Sequence, residues 1–163
     1  MVSGGIGHQG GVVMRRLFIL LMMCAISLTA AAQGWQYRNN KGILESSPLY
    51  LSGDYDSPTV LSIMVGNNQH VGDMVLCCLF GDGLCDFRSS QQYVIFNYCD
   101  GEIKVGIQEV TIEGNQFRAF VLDDAARMIG LFRDLDWFTF SLPIHKHGVQ
   151  TFTFSAEGYP LDW

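Results

Sequence analysis

FVLDDAARMIGLFRDLDWFTFSL, residues 120–142, is the one stretch in which the apolar period changes from two to nearly four. From Asp123 onward, Ala125, Met128, Ile129, Phe132 and Leu135 recur at helical spacing, while Asp124, Arg127 and Arg133 fall on the other side. That pattern predicts one amphipathic helix with a single buried stripe. Asp123 is placed to cap the free N–H groups of the first turn, and Asp124 and Arg133 suit the positive and negative ends of the helix dipole. Gly130 costs about 1 kcal/mol relative to Ala, so packing has to hold the helix. The following Trp137-Phe138-Thr139-Phe140-Ser141-Leu142 reads as a strand, which gives the helix a sheet to bury its stripe against.

Outside this stretch the chain reads as short strands. Candidates are Trp35-Gln36-Tyr37, Gly42-Ile43-Leu44-Glu45, Tyr50-Leu51-Ser52, residues 60–65, 74–80, 84–88, 92–98, 103–108, 116–121 and 150–155. Gly81-Asp82-Gly83 predicts a β-hairpin that joins residues 74–80 to 84–88. Pro143 to Gly148 reads as a loop, and residues 158–163 as a tail tied down by its apolar side chains. Strands at roughly ten-residue spacing with one helix predict a mainly β, α+β fold: an antiparallel β-sandwich with one amphipathic helix packed on it. An α/β domain would need helices between its strands.

The chain has 163 residues, 48% of them hydrophobic, enough for one ordinary core and therefore one domain, residues 33–163. Residues 1–13 carry neither periodicity nor a charge pattern and are read as a misassigned start or a disordered segment. Residues 14–32 read as a signal peptide: Met14-Arg15-Arg16, the apolar run 17–28, then Ala30-Ala31-Ala32. The run is too short for a bilayer span, so cleavage after Ala32 is favoured over anchoring. Acylation of Cys24 is disfavoured by the Met that precedes it and by the better site downstream. Cleavage leaves 8 basic and 16 acidic residues, a net charge of −8. An acidic chain with no basic run lacks the electrostatic footing for nucleic acid.

Cys77, Cys78, Cys85 and Cys99 follow the leader, and an even number of cysteines in an exported protein points to disulfide. Cys78 and Cys85 flank the expected hairpin turn and are the expected pair; adjacent Cys77 points to the opposite face, toward Cys99 if anything. No Cys-x-x-Cys spacing supports zinc. His145-Lys146-His147 presents two imidazoles on one face if extended, yet reads better as a polar loop, and Asp54, Asp56 and Asp82 offer too few oxygens for calcium. A cysteine nucleophile would need a base from His70, His145 or His147. Asp123 and Asp124 diverge as neighbours, and no nucleophile elbow, zinc-protease, phosphate-loop or dinucleotide motif occurs. No catalytic residue, metal or cofactor is therefore expected.

VIFNYCDG at residues 94–101, QFRAFVLDD leading into ARMIGLFRDL, then DWFTFSLP and the closing GVQTFTFSAEGYPLDW resemble small exported bacterial β-sandwich proteins that include the type VI secretion-associated VasI-like proteins. The likeness covers roughly the last seventy residues. It implies a sandwich with a packed helix and a role in the cell envelope or in secretion, and it brings no catalytic residues.

Leader, acidic charge and missing catalytic motifs together predict a non-catalytic exported envelope protein, periplasmic or secreted, that binds another protein as an accessory or inhibitor. Trp35, Tyr37, Tyr50, Tyr55, Tyr159 and Trp163 supply aromatic contact area if they meet on an exposed face. The alternatives are a ligand- or glycan-binding module, or an enzyme whose site is assembled from scattered residues such as His145, His147, Asp100 and Glu102.

Overall fold

The computed structural model describes residues 34–53, 57–68, 72–87, 92–112 and 115–159. The segment 1–13, the leader 14–32 with Cys24, and Asp54, Asp56, His70 and tail residues 160–163 lie outside the described residues. Nine strands run in the order β1 (Gln36–Arg38), β2 (Lys41–Glu45), β3 (Val60–Asn68), β4 (Gly72–Phe80), β5 (Tyr93–Tyr98), β6 (Gly101–Ile112), β7 (Asn115–Leu122), β8 (Trp137–Ile144) and β9 (Gly148–Ser155). One helix, α1 (Ala125–Asp134), stands between β7 and β8. Every strand pairing is antiparallel, and the fold is mainly β with a single helix among the described residues.

The strands form one open sheet ordered β1-β2-β3-β4-β7-β6-β5-β8-β9. Its two halves share β6. Residues 101–106 of that strand pair with β5, whereas residues 107–112 pair with β7. Gly106 sits at the changeover, where the Asp123 amide donates to its carbonyl at 2.8 Å and the Ile107 amide donates to the Gln92 carbonyl at 3.0 Å. A Cβ at position 106 would meet the Asp123 carboxylate, which would have to turn aside to admit a side chain there. On the far side the halves meet again, through Ser47 N–H donating to Thr153 O at 2.8 Å and Trp35 N–H donating to Glu157 O at 3.0 Å. The expected sandwich is thus one open nine-stranded sheet whose two halves contribute to a single hydrophobic core.

Strand alternation decides what fills that interior. Phe96, Phe138, Phe140, Leu142, Phe152 and Phe154 are buried, and the residues between them on β8 and β9 face outward. Phe138 lies 5.0 Å from Phe154 and 5.1 Å from Phe96, centroid to centroid, within the range in which aromatic pairs attract beyond their buried area. β3 and β4 behave differently: residues 61–66 and 75–79 are buried without a break. Strands covered on both faces read as continuous apolar runs, and here the side turned from the core carries Ser62, Met64, Leu76 and Cys78.

α1 buries Met128 and Phe132, the stripe its spacing implies. Phe132 meets Phe138 at 5.0 Å, Trp35 at 5.8 Å and Phe96 at 6.1 Å, so the helix is held by the same aromatic core. Arg133 occupies the last turn and lies 5.9 Å from the Tyr159 ring. The expected Asp123 cap is not made. The residue before the helix is Asp124, in the left-handed region at φ 53°, with no side-chain cap hydrogen bond. Asp123 is drawn back to β6, where its Oδ1 accepts from Gln108 Nε2 at 3.2 Å.

The expected hairpin at Gly81-Asp82-Gly83 is also not formed. β4 pairs with β3 on one side and β7 on the other, leaving no edge for residues 84–88. Its run Val75 to Leu79 marks it as a central strand, and a central strand cannot accept a third partner. Gly81, at φ 97°, packs so closely on the Pro58 carbonyl that a side chain would not fit, and its own carbonyl accepts from Arg118 Nη1 at 2.9 Å. The chain therefore leaves the sheet and crosses its open end, forming only an isolated bridge from Cys85 to Ile144. Tyr50-Leu51-Ser52 forms no strand, merely a bridge between Leu49 and Thr59 beside it. Conversely, Pro143 belongs to β8; the ladder with β5 stops at Ser141, so its missing N–H breaks no bond there.

Candidate protein-binding surface

The outer face of β6, β5, β8 and β9 can be built directly from the register. One row runs Glu102, Asn97, Thr139 and Thr153; the next runs Lys104, Ile95, Ser141 and Thr151. Trp137 with Ser155 closes one end, and Pro143 with Val149 lies at the other. Six residues of strand separate those ends, about 20 Å at 3.3 Å per residue. Trp137 is 53% exposed and Val149 55%, whereas the inward neighbours Phe138 and Phe140 are wholly buried. Within the face the Ser141 and Thr151 hydroxyls are hydrogen-bonded at 2.8 Å, and Lys104 Nζ lies 4.9 Å from the Tyr93 ring centroid. The arrangement is a sheet surface of short hydroxyl side chains with large apolar groups at its ends. Tyr37 and Tyr50 are exposed elsewhere, on β1 and on the segment before β3.

The scattered residues of the enzyme alternative are not gathered. Asp100 lies in the β5–β6 turn and Glu102 at the start of β6, level with the start of β8, whereas His145 and His147 lie in the β8–β9 turn at its end. The separation is again about 20 Å. His145 does find a carboxylate that the sequence did not point to: its Nδ1 lies 3.4 Å from Asp86 Oδ2. The pair follows from two main-chain bonds, Asp86 N–H to Pro143 O at 2.9 Å and His145 N–H to Leu84 O at 2.8 Å. Both side chains are over a third exposed, so the pair adds about 1 kcal/mol at most. Lys146 at φ 64° and Gly148 at φ 67° give the tight polar turn expected for His145-Lys146-His147.

Cys77, Cys78, Cys85 and Cys99 are free thiols, the first three buried and Cys99 exposed. Cys78 lies opposite Ser62 and Ala119 on the two flanking strands, so the ladder that was to set it opposite Cys85 is absent. Burial pushes the Cys78 thiol up to about 12; Cys85 also rises to about 12, through burial first and the Glu109 carboxylate second. At those values neither is a nucleophile near neutrality. Among the described residues no group of three or more His, Cys, Asp or Glu side chains is placed to hold a metal ion. No helix among them is long and apolar enough to cross a membrane.

Comparison with family models, characterised proteins and solved structures gives no match to this chain.

Proposed function

We propose that the protein is a non-catalytic exported envelope protein that binds another protein, as an accessory or inhibitor, through the outer face of β6, β5, β8 and β9. The observation that carries this reading is Trp137, half exposed at the end of a regular sheet face that already has a buried aromatic layer beneath it. Tryptophan is enriched among the residues that dominate binding energy, and a sheet surface holds its side chains in place before a partner arrives. Ile95 and Val149 add apolar contact, and the Thr139, Thr151, Thr153 and Ser155 hydroxyls provide a polar surround. Export rests on the leader at residues 14–32, and the envelope assignment also on the VasI-like resemblance.

Affinity capture from envelope extracts, with the wild-type chain beside Trp137→Ala and Val149→Asp variants, is the test. A protein retained by the wild type and lost by both variants, at unchanged melting temperature, supports the reading. Capture of the same proteins by all three chains overturns it. The Trp137 ring beside the Ser155 and Thr139 hydroxyls also suits stacking on a sugar, and retention on a polysaccharide column abolished by Trp137→Ala would favour a glycan ligand.

A further inference from the structure

Three of the four cysteines after the leader converge where residues 81–87 cross the open end of the sheet. Cys77 and Cys85 both belong to the buried core, whereas Cys78 faces the other side of β4. The crossing segment can be followed residue by residue. At Gly83 a Cβ would lie 3.3 Å from Leu79 Cδ2 and 3.1 Å from Thr59 Cγ2, so the segment starts over Leu79. At Phe87 the ring lies 5.3 Å from that of Phe120. Leu79 is two residues from Cys77 on the same face of β4, and Phe120 is the register partner of Cys77 on β7. Cys85 lies between these two anchor points.

Its direction is fixed as well. The bonds from Asp86 N–H to Pro143 O and from His145 N–H to Leu84 O flank the Cys85–Ile144 bridge, which makes it a non-hydrogen-bonded antiparallel pair with both side chains on one face. Ile144 is in the core, so Cys85 points inward, toward the side of β4 that carries Cys77. From this convergence we propose that Cys77 and Cys85 form a disulfide in the oxidised protein and that Cys78 stays a thiol.

The reaction is two thiol–disulfide exchanges with a small-molecule disulfide such as oxidised glutathione. One cysteine thiolate attacks a glutathione sulfur and expels a glutathione thiolate; the second cysteine thiolate attacks the mixed disulfide and expels the other. The two cysteine protons end on two glutathione thiols, and the cysteine pair loses the two electrons that glutathione gains. Burial, and then the neighbouring Cys78 and Cys85, push Cys77 well above the ordinary thiol range, so the folded protein holds very little thiolate. The bond therefore forms while the core is still open, and reductant reaches it slowly afterwards.

The test uses the full chain, refolded from denaturant with reduced and oxidised glutathione, as wild type and as Cys78→Ser, Cys77→Ser and Cys85→Ser. Non-reducing digestion with mass spectrometry should recover a Cys77–Cys85 link in Cys78→Ser and no link to Cys85 in Cys77→Ser. In Cys78→Ser, prior reduction should lower the urea midpoint, and in Cys85→Ser it should not. A Cys78–Cys85 link in the wild type overturns the proposal. So does recovery of Cys77 and Cys85 as alkylated thiols from a Cys78→Ser chain whose circular dichroism is native; Cys78→Ala replaces it if the serine variant does not fold.

Discussion

The Asp123 amide donates to the Gly106 carbonyl at 2.8 Å while the Asp123 carboxylate fills the space that a side chain at position 106 would need. The two residues therefore lock the end of β7 onto the point at which β6 passes from one half of the sheet to the other. Gly106→Ala should destabilise the protein by about 1 kcal/mol at most, because the added methyl has to turn aside an exposed carboxylate and its bond to Gln108. Combining it with Asp123→Ala should cost less than the sum of the two single changes, a coupling that urea denaturation of the four chains measures.

Phe132 is wholly buried against Trp35, Phe96 and Phe138. Phe132→Ala should cost about 3–5 kcal/mol through lost transfer energy and the cavity left behind. Arg127 lies on the exposed side of α1, so Arg127→Ala should stay within about 0.5 kcal/mol of wild type. Thermal melts of the two variants check the assignment of the helix faces.

Burial pushes the Glu45 carboxyl above its ordinary value of 4.5, and the nearby Arg38 only partly opposes this. A carboxyl whose folded pKa lies above its unfolded one favours folding when protonated, so its contribution is present below 4.5 and is lost as pH rises through the folded value. Glu45→Gln should therefore raise the urea midpoint at pH 7, and that advantage should vanish below about pH 4.5. Midpoints measured for both chains across pH 3 to 8 test the sign.

In the reduced protein, Cys99 is the exposed thiol among the four described, and Cys77, Cys78 and Cys85 are buried. Alkylation under native conditions should mark Cys99 within minutes and leave the other three until the fold is opened. Peptide mapping over a time course reads the order, and early labelling of Cys78 would show that its side of β4 is open to solvent.

What the sequence revealed was the part decided by neighbours along the chain. Ala125, Met128 and Phe132 are three or four residues apart, and their spacing alone specifies the helix and its buried face. Phe152 and Phe154 likewise specify the inner side of β9. Gly81-Asp82-Gly83 misled because turn chemistry is local, whereas the partners of β4 are chosen across the fold: β7, some forty residues later, takes the edge that residues 84–88 would have needed. Asp123 misled for a similar reason, since a helix cap and a bond to Gln108 draw on the same carboxylate. The His145–Asp86 approach and the row of side chains around Trp137 depend on register between distant strands, which composition and spacing do not encode.

The hydrogen bonds from Ser47 to Thr153 and from Trp35 to Glu157 have a consequence for how the molecule comes to be folded. Each joins a residue before β3 to one in or beyond β9, so on that side the two halves are tied together by contacts of very long sequence separation. The entropy of closing such a loop has to be met before any of those contacts can form, which places the chain among slow folders despite its modest size. A chain delivered N-terminus first would carry β1 and β2 with that side unsatisfied until residues 153–157 arrive. Over that interval the order of delivery, rather than the strength of the core, governs how long its apolar strands are open to the wrong partner.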